Sequence, residues 1–391
     1  MADTVHRLLI EGWRLVPHSY AHVNQFQMLE LLSRPQLALA HRDLPYLLPH
    51  WRAETDLFGP EAQRRLASVR PPAAGQRFDA VYRIAAPYDL RPSAAAPRTV
   101  VFGTAEFGVV PAVYMTGGRP LAEAHRHSSA VIVTPSQWSR RGLLRSGADE
   151  QRVFVVPHGV DTTIFQPLGP EQREQARRSR RWNDFVFLSV GSMTANKGMD
   201  LLLRAFAQVT QTHPQARLVV KGLDALYDSR DLLRASVSGL SAQEVQRIES
   251  RLHYLGEVGT YQDMALLYQM ADAYVTPYRA EGFNLPVLEA AACGLVVICT
   301  AGGSTEDFVH EGFALRLASQ MQPADCFGEQ GVQLEPSLDH LIELMRRVID
   351  DAAVRRRARE AGPAFVGAHF TWRHAVDRLL DVLFPEGAAQ T

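Results

Sequence analysis

Lysine is nearly missing from this sequence. Of 41 basic residues in 391, only Lys197 and Lys221 are lysine, and the remainder are arginine. Lysine is a compact point charge and arginine a planar fork, so the two are not interchangeable at a crowded phosphate. Both lysines precede a glycine, in TANKGMD and LVVKGLD, which marks these loops for attention. Cysteine is also scarce. Cys293, Cys299 and Cys326 form no Cys-x-x-Cys pair, which excludes a disulfide framework and a zinc cluster and fits a reducing compartment. No apolar run reaches membrane-spanning length, and Arg7, Glu11 and Arg14 interrupt any signal-peptide core, so a cytoplasmic protein without an integral membrane segment is expected. Peripheral association and oligomeric state stay open. The formal charge of −1 supplies no global field toward nucleic acid, and none is expected as a partner. Asp-x-Asp pairs, Gly-x-Gly-x-x-Gly and Gly-Lys-Ser/Thr are absent as well. A metal clamp, a dehydrogenase and an NTPase are thereby disfavoured, and neither metal nor cofactor is expected.

What is present is an α/β alternation long enough for two cores. In the first half HRLLIEGW, FDAVYRIA, RTVVFGTA, SSAVIVTPS and RVFVVPHG read as strands, with VNQFQMLELLS as a helix after the first. The charged stretch FQPLGPEQREQARRSRRWND reads as a connector. Beyond it FVFLSV, ARLVVK, HYLGEV, DAYVTPY and LVVICT form a second set of strands, with helices from there to the end and a frayed PEGAAQT tail. The expected architecture is two Rossmann-like doubly wound domains, 1–168 and 183–369, facing a central cleft, with a helix at 370–385 packing back on the first.

The stretch YRAEGFNLPVLEAAACG carries the chemistry. After the strand the chain turns at Gly282, Pro286 suits the first turn of a helix, and Gly294 suits its stop. A helix start with open N–H groups holds an anion. Glu281 precedes that helix and Glu289 lies inside it, and a carboxylate accepts paired hydrogen bonds from vicinal hydroxyls. One carboxylate per polyol, with a phosphate anchor between them, describes a sugar nucleotide. The plain alternative is a first-turn glutamate that only favours the helix dipole, beside a solvated one.

EGFNLPVLEAAACG resembles the Glu-x7-Glu motif of retaining glycosyltransferases of family 4, which have the GT-B fold. PSQWSRRGLLRSGADEQRVFVVPHGVDTTIFQP, SVGSMTANKGMDLLLRAF, LGEVGTYQDMALLYQMADAYVTPY, GGSTEDFV and FTWRHAVDRLL are similar to further family segments, in order from about Thr134 to Leu380. The resemblance implies hexose transfer from a UDP- or GDP-linked sugar to a hydroxyl of a glycan, lipid, small-molecule or protein acceptor. It assigns Lys197 to the donor diphosphate, Glu281 to the donor sugar, the N–H groups of Gly282, Phe283, Asn284 and Leu285 to sugar and phosphate, and Glu289 to the ribose. Gly191 and Ser192 line the same site, and backbone groups at 256–259 meet the base.

Departures from the family pattern are Met193 where an arginine is usual, with Lys221 or an arginine elsewhere as the substitute, and a first-strand glycine pair reduced to Gly12. The usual histidine after a later strand is replaced by Gly103, Thr104 and Glu106. Glu106 is either an acceptor-side catalytic group or a helix-start residue without chemistry. His18, Tyr20, His22 and Asn24 are read as an acceptor-side loop, His125 and His127 as surface, His158 as shaping a turn, and Trp51 as packing, with stacking on an acceptor sugar as its alternative. Two alternatives to the transferase remain: a non-catalytic GT-B subunit that binds sugar nucleotide, and a sugar-nucleotide epimerase.

Overall fold

The computed structural model describes residues 5–257 and 259–385. Val258 and residues 386–391 of the expected tail lie outside it. The chain divides into two compact units, the first Met1–Gly159, Pro323–Val332 and Thr371–Thr391, the second Val160–Gln322 and Gln333–Phe370.

In the first unit six parallel strands stand in the order β2-β1-β3-β4-β5-β6. They are β1 (His6–Gly12), β2 (Leu37–Asp43), β3 (Ala80–Ile84), β4 (Arg98–Phe102), β5 (Val131–Thr134) and β6 (Val153–Val155). Their interiors are runs of Leu, Val and Ile buried on both faces, as a parallel sheet covered by helices requires. The helix Trp372–Leu383 belongs to this unit and packs on Ser19–Leu31, with Trp372 stacked on Phe26 at 5.5 Å. The strand β2, LALAHRD, escapes the sequence reading. It is an edge strand whose last two residues are exposed, so its apolar pattern is too short to stand out.

In the second unit the order is β12-β11-β10-β7-β8-β9, again all parallel. These strands are β7 (Phe185–Val190), β8 (Ala216–Lys221), β9 (Leu252–Leu255), β10 (Ala273–Thr276), β11 (Val296–Thr300) and β12 (Ala314–Leu317). Counted from β7 this is 3-2-1-4-5-6, so the strand order reverses between β7 and β10. In such sheets ligands bind outside the carboxyl ends of the strands at that reversal.

Two expectations are corrected. The chain does not run helically to its end after β11. Ser319–Cys326 (β13) and Glu329–Pro336 (β14) form a two-stranded hairpin turned by Phe327 and Gly328, both at positive φ. Its tip counts with the first unit, where the Ala112 N–H donates to Glu329 Oε1 at 2.7 Å and the Val332 N–H to Phe107 O at 2.7 Å. The division also falls at Gly159 rather than after 168. The Val160 N–H donates to Phe370 O at 2.8 Å and Phe165 packs edge-on against Tyr268, which draws 160–168 into the second unit. The charged connector contains the helix Pro170–Ser179, tied down by Arg173 and Arg177 on Asp272 at 2.7 and 3.0 Å.

Candidate functional site

The second unit places its chemistry at the reversal of strand order. β7 ends at Val190, and the chain passes through Gly191, Ser192 and Met193 into a single 3-10 turn, Ala195–Lys197. Gly198 then takes a left-handed conformation and opens the helix Met199–Thr212. A Cβ on Gly198 would lie 1.9 Å from Pro277 O, so only glycine lets this loop close on the chain leaving β10. Asn196 completes that closure. Its Nδ2 donates to Ala280 O at 2.9 Å, and its own carbonyl accepts from the Arg279 N–H at 2.7 Å. The outcome is an ion pair between Lys197 Nζ and Glu281 Oε1 at 2.6 Å, with side chains 22% and 9% exposed.

This is the first finding that composition did not suggest. The scarce lysine and the first glutamate of the motif hold each other. An ammonium group has three donors, and this contact uses one.

Arg279, beside them, is held from both sides by Asp200 at 2.7 Å and Glu335 at 2.8 Å, which raise its already high pKa further against the cost of burial. It therefore acts as a strut for the 279–281 loop. Neither Asn196 nor Arg279 is distinguished in the sequence, because their roles depend on neighbours about 56 to 84 positions away.

Asn284 adopts φ 73° and caps the helix Leu285–Ala292, with Pro286 in the first turn and Gly294 at φ 79° past the end, as the sequence leads one to expect. Its Nδ2 donates to Thr276 Oγ1 at 3.3 Å, which fixes the turn to the last residue of β10. Phe283 is buried against Phe308 at a centroid distance of 4.7 Å, so the Gly282–Leu285 backbone is held in place by a side chain packed beneath it. The first N–H groups of a helix have no acceptor within it and carry the positive end of its dipole.

Glu289 faces inward from this helix, 6% exposed, and accepts from Tyr268 Oη at 2.7 Å. Burial pushes its carboxyl up to about 7, against the opposing pull of the Tyr268 hydrogen bond and of Lys221. Lys221 closes β8, and its carbonyl accepts from the Gly191 N–H at 3.0 Å. Gly191, Ser192, Lys197, Lys221, Glu281, Gly282, Phe283, Asn284, Leu285 and Glu289 thus all belong to one unit, at the carboxyl ends of β7, β8 and β10 and the helix start that follows.

Gly12 and Glu106 belong to the other unit. Gly12 ends β1, where a Cβ would lie 2.6 Å from Ile84 O; this glycine serves a close strand contact. Glu106 is exposed in the turn after β4 and starts no helix, which removes that alternative; its backbone carbonyl accepts from Trp138 Nε1 at 2.7 Å.

The expected acceptor-side loop is mostly helix. His18 is the N-cap, its Nδ1 accepting from the Tyr20 N–H at 3.1 Å, and Tyr20, His22 and Asn24 lie inside Ser19–Leu31. A histidine is an uncommon cap, so the helix start was placed too late. Asn24 is buried, donating to Trp13 O at 2.8 Å, and His22 is half-buried, with desolvation lowering its pKa to about 3. Trp51 packs against Trp13 and His18. His125 is not a surface residue: it is 1% exposed, with Nε2 on Ala130 O and Nδ1 accepting from the Asp149 N–H. His158 is buried beside Phe102 and Trp372, and burial together with the proximity of His22 lowers its pKa to about 3.

Among the described residues no helix is long and apolar enough to cross a membrane, and no group of three His, Cys, Asp or Glu side chains is placed to hold a metal ion.

The family model for glycosyl transferases group 1 matches residues 171–365. D-inositol 3-phosphate glycosyltransferase 1 of Catenulispora acidiphila is 30% identical over 283 residues, 71% of this chain and 61% of the relative. The GDP-mannose-dependent monoacylated alpha-(1-6)-phosphatidylinositol monomannoside mannosyltransferase of Corynebacterium glutamicum is 29% identical over 267 residues, 66% of this chain and 62% of the relative. The alignments thus span about three fifths of the length of these curated relatives. Among solved structures, HepE of Anabaena in complex with UDP-glucose superposes with a TM-score of 0.69 at 15% identity, covering 97% of this chain and 99% of that one. A glycosyltransferase from Rickettsia africae gives a TM-score of 0.69 at 13% identity, covering 97% and 98%. The two six-stranded parallel sheets with their covering helices are the GT-B fold, and residues 171–365 of the chain belong to the glycosyl transferases group 1 family.

Proposed function

We propose that this chain is a retaining glycosyltransferase of family 4 that moves a hexose from a UDP- or GDP-linked sugar to a hydroxyl acceptor in the cytoplasm. The observation that carries this reading is the Lys197–Glu281 pair at 2.6 Å, seated where the second sheet reverses its strand order and next to a helix start. Lys197, supported by Lys221 and the Gly282–Leu285 backbone, neutralises the donor diphosphate, while Glu281 takes hydroxyls of the sugar and Glu289 those of the ribose. Fixed positive charge aimed at the departing diphosphate lowers the barrier to its loss. The bond from the anomeric carbon to the diphosphate oxygen breaks, the acceptor oxygen bonds to the same face, and a diphosphate oxygen takes the acceptor's proton. This division of labour requires no bound metal. Glu106, on the first unit, is the acceptor-side candidate.

The test is incubation of the pure chain with a panel of UDP- and GDP-sugars, with nucleotide release and sugar configuration followed by NMR. Slow donor hydrolysis that disappears in Lys197→Ala is expected. Binding without turnover, even with candidate acceptors, would replace this reading with a non-catalytic subunit; an altered donor sugar would replace it with an epimerase.

A further inference from the structure

The second unit contains a second electropositive feature, formed by the connector that the donor site does not use. The helix Pro170–Ser179 and the turn after it carry Arg173, Arg177, Arg178, Arg180 and Arg181, and Arg359 approaches from the helix Ala352–His369. Together with Pro170, Glu174, Trp182 and Asn183, four of these arginines line an open cavity of about 440 Å³.

Their present partners account for only part of the charge. Arg173 and Arg177 share the one carboxylate of Asp272 and otherwise donate to backbone carbonyls, of Met270 and Ala271 at the end of the helix Tyr261–Met270 and of Asp184. Arg178 pairs with Glu174, and both side chains line the cavity. Arg359 donates to Leu168 O at 2.6 Å, and among the described residues no carboxylate pairs with it. Four guanidinium groups therefore face two carboxylates. Burial and the positive charge of Arg173 lower the Arg359 pKa, as a cation without an acid beside it requires.

We propose that this cavity binds a phosphate monoester, with Arg359 and Arg178 as its principal contacts and the buried Trp182 forming its floor. A dianionic phosphate offers three acceptor oxygens, enough to engage two planar forks at once, and supplies the charge the cavity lacks. Its volume accommodates a phosphate with a small polyol attached. The phosphate is presented either by a soluble metabolite or by a lipid headgroup.

Titration calorimetry on the full chain distinguishes the two sources and separates this cavity from the donor site. Glycerol 3-phosphate probes the soluble source, and phosphatidylcholine vesicles with and without phosphatidic acid probe the lipid source. Both are applied to the native chain and to Lys197→Ala, in which the donor site is impaired. Binding of either probe is expected in both proteins, weakened roughly tenfold by Arg359→Gln, the loss of one charge-assisted contact. Arg178→Gln, at a side chain 72% exposed and so harmless to folding, is expected to weaken it severalfold. Arg359→Lys should recover part of the loss. Failure of both probes, or binding that survives Arg359→Gln combined with Arg178→Gln, overturns the proposal. Binding lost in Lys197→Ala alone overturns it too, since the phosphate then occupies the donor site.

Discussion

The two sheets of this protein treat the ends of their central strands in different ways. In the second, β7 and β10 lead into loops that hold a lysine against a glutamate, and a second glutamate is buried one helix further on. In the first, the strand order reverses between β1 and β3, and the residues following β1 are Trp13, fully buried, with His18, Tyr20 and Trp51 packed around it. Desolvation lowers the pKa of His22 and His158 there to about 3, so both stay neutral at ordinary pH. Charge lies at the first reversal too, with Glu11 on Arg83 at 2.8 Å and Arg14 on Asp43 at 2.7 Å, so what sets this reversal apart is the ring cluster around Trp13. Topology provides a place for a ligand, and side chains decide whether a charged one is welcome.

The largest break in this comparison should come from Lys197→Ala. Loss of a group aimed at developing charge costs about 10²–10³ in turnover, and the carboxylate of Glu281, 9% exposed, is left without its cation. Nucleotide release from the sugar donor checks it. Ser192→Ala, in the same loop, should have far less effect.

Glu289→Gln sharpens the comparison by separating stability from function. The carboxyl is raised from about 4.5 to about 7, so the folded chain binds more protons than the unfolded one between those values. Its contribution is therefore fully favourable below about pH 4.5 and is lost as pH rises through 7, a swing of about 3 kcal/mol at most. The substitution should raise the melting temperature at pH 8 more than at pH 5, while weakening nucleotide binding about tenfold, one hydrogen-bonded charge. In the native chain, nucleotide affinity should fall as pH drops below 7, because the ribose hydroxyls need the ionised carboxylate. Calorimetry across pH measures both effects.

The first unit should show the reverse dependence. His22 and His158 are held near 3 against an ordinary 6.5, so the unfolded chain takes up protons first and stability is lost as pH falls below 6.5. By pH 5 each histidine costs about 2 kcal/mol. His158→Asn should remove about half of this loss, seen as slower hydrogen exchange over 153–158 at pH 5.

The smallest effect concerns the cap. Asn284→Ala removes the side-chain bond to Thr276 and puts at φ 73° a residue that tolerates the left-handed region less well than asparagine, which should cost about 1 kcal/mol, whereas Asn284→Gly, which has no Cβ to strain, should lie near zero. Urea melts of the two variants decide it.

Much of the second sheet was legible because its strands are dense in β-branched residues and its glycines and prolines fall at helix boundaries, as at Gly294 and Pro286. The hairpin β13–β14 was not, since MQPADCFGEQGVQ is mostly polar and exposed and has no apolar face to betray a strand. Nor was the early start of the helix at Ser19, because its cap is a histidine and its polar residues turn inward. Of the site, Lys197, Glu281 and Glu289 could be named from their spacing and from the rarity of lysine. Tyr268, Asn196 and Arg279, which hold them, could not.

The order of residues alone determined that two α/β layers would form, and that a lysine, two glutamates and a helix start would occur after particular strands, because periodicity and turn chemistry are local. Only the tertiary structure decided that Lys197 and Glu281 meet, that Glu289 lies buried against Tyr268, and that aromatic rings gather around Trp13 after β1. Those outcomes depend on contacts between residues tens of positions apart, where burial sets the strength of every charge and no local pattern records it.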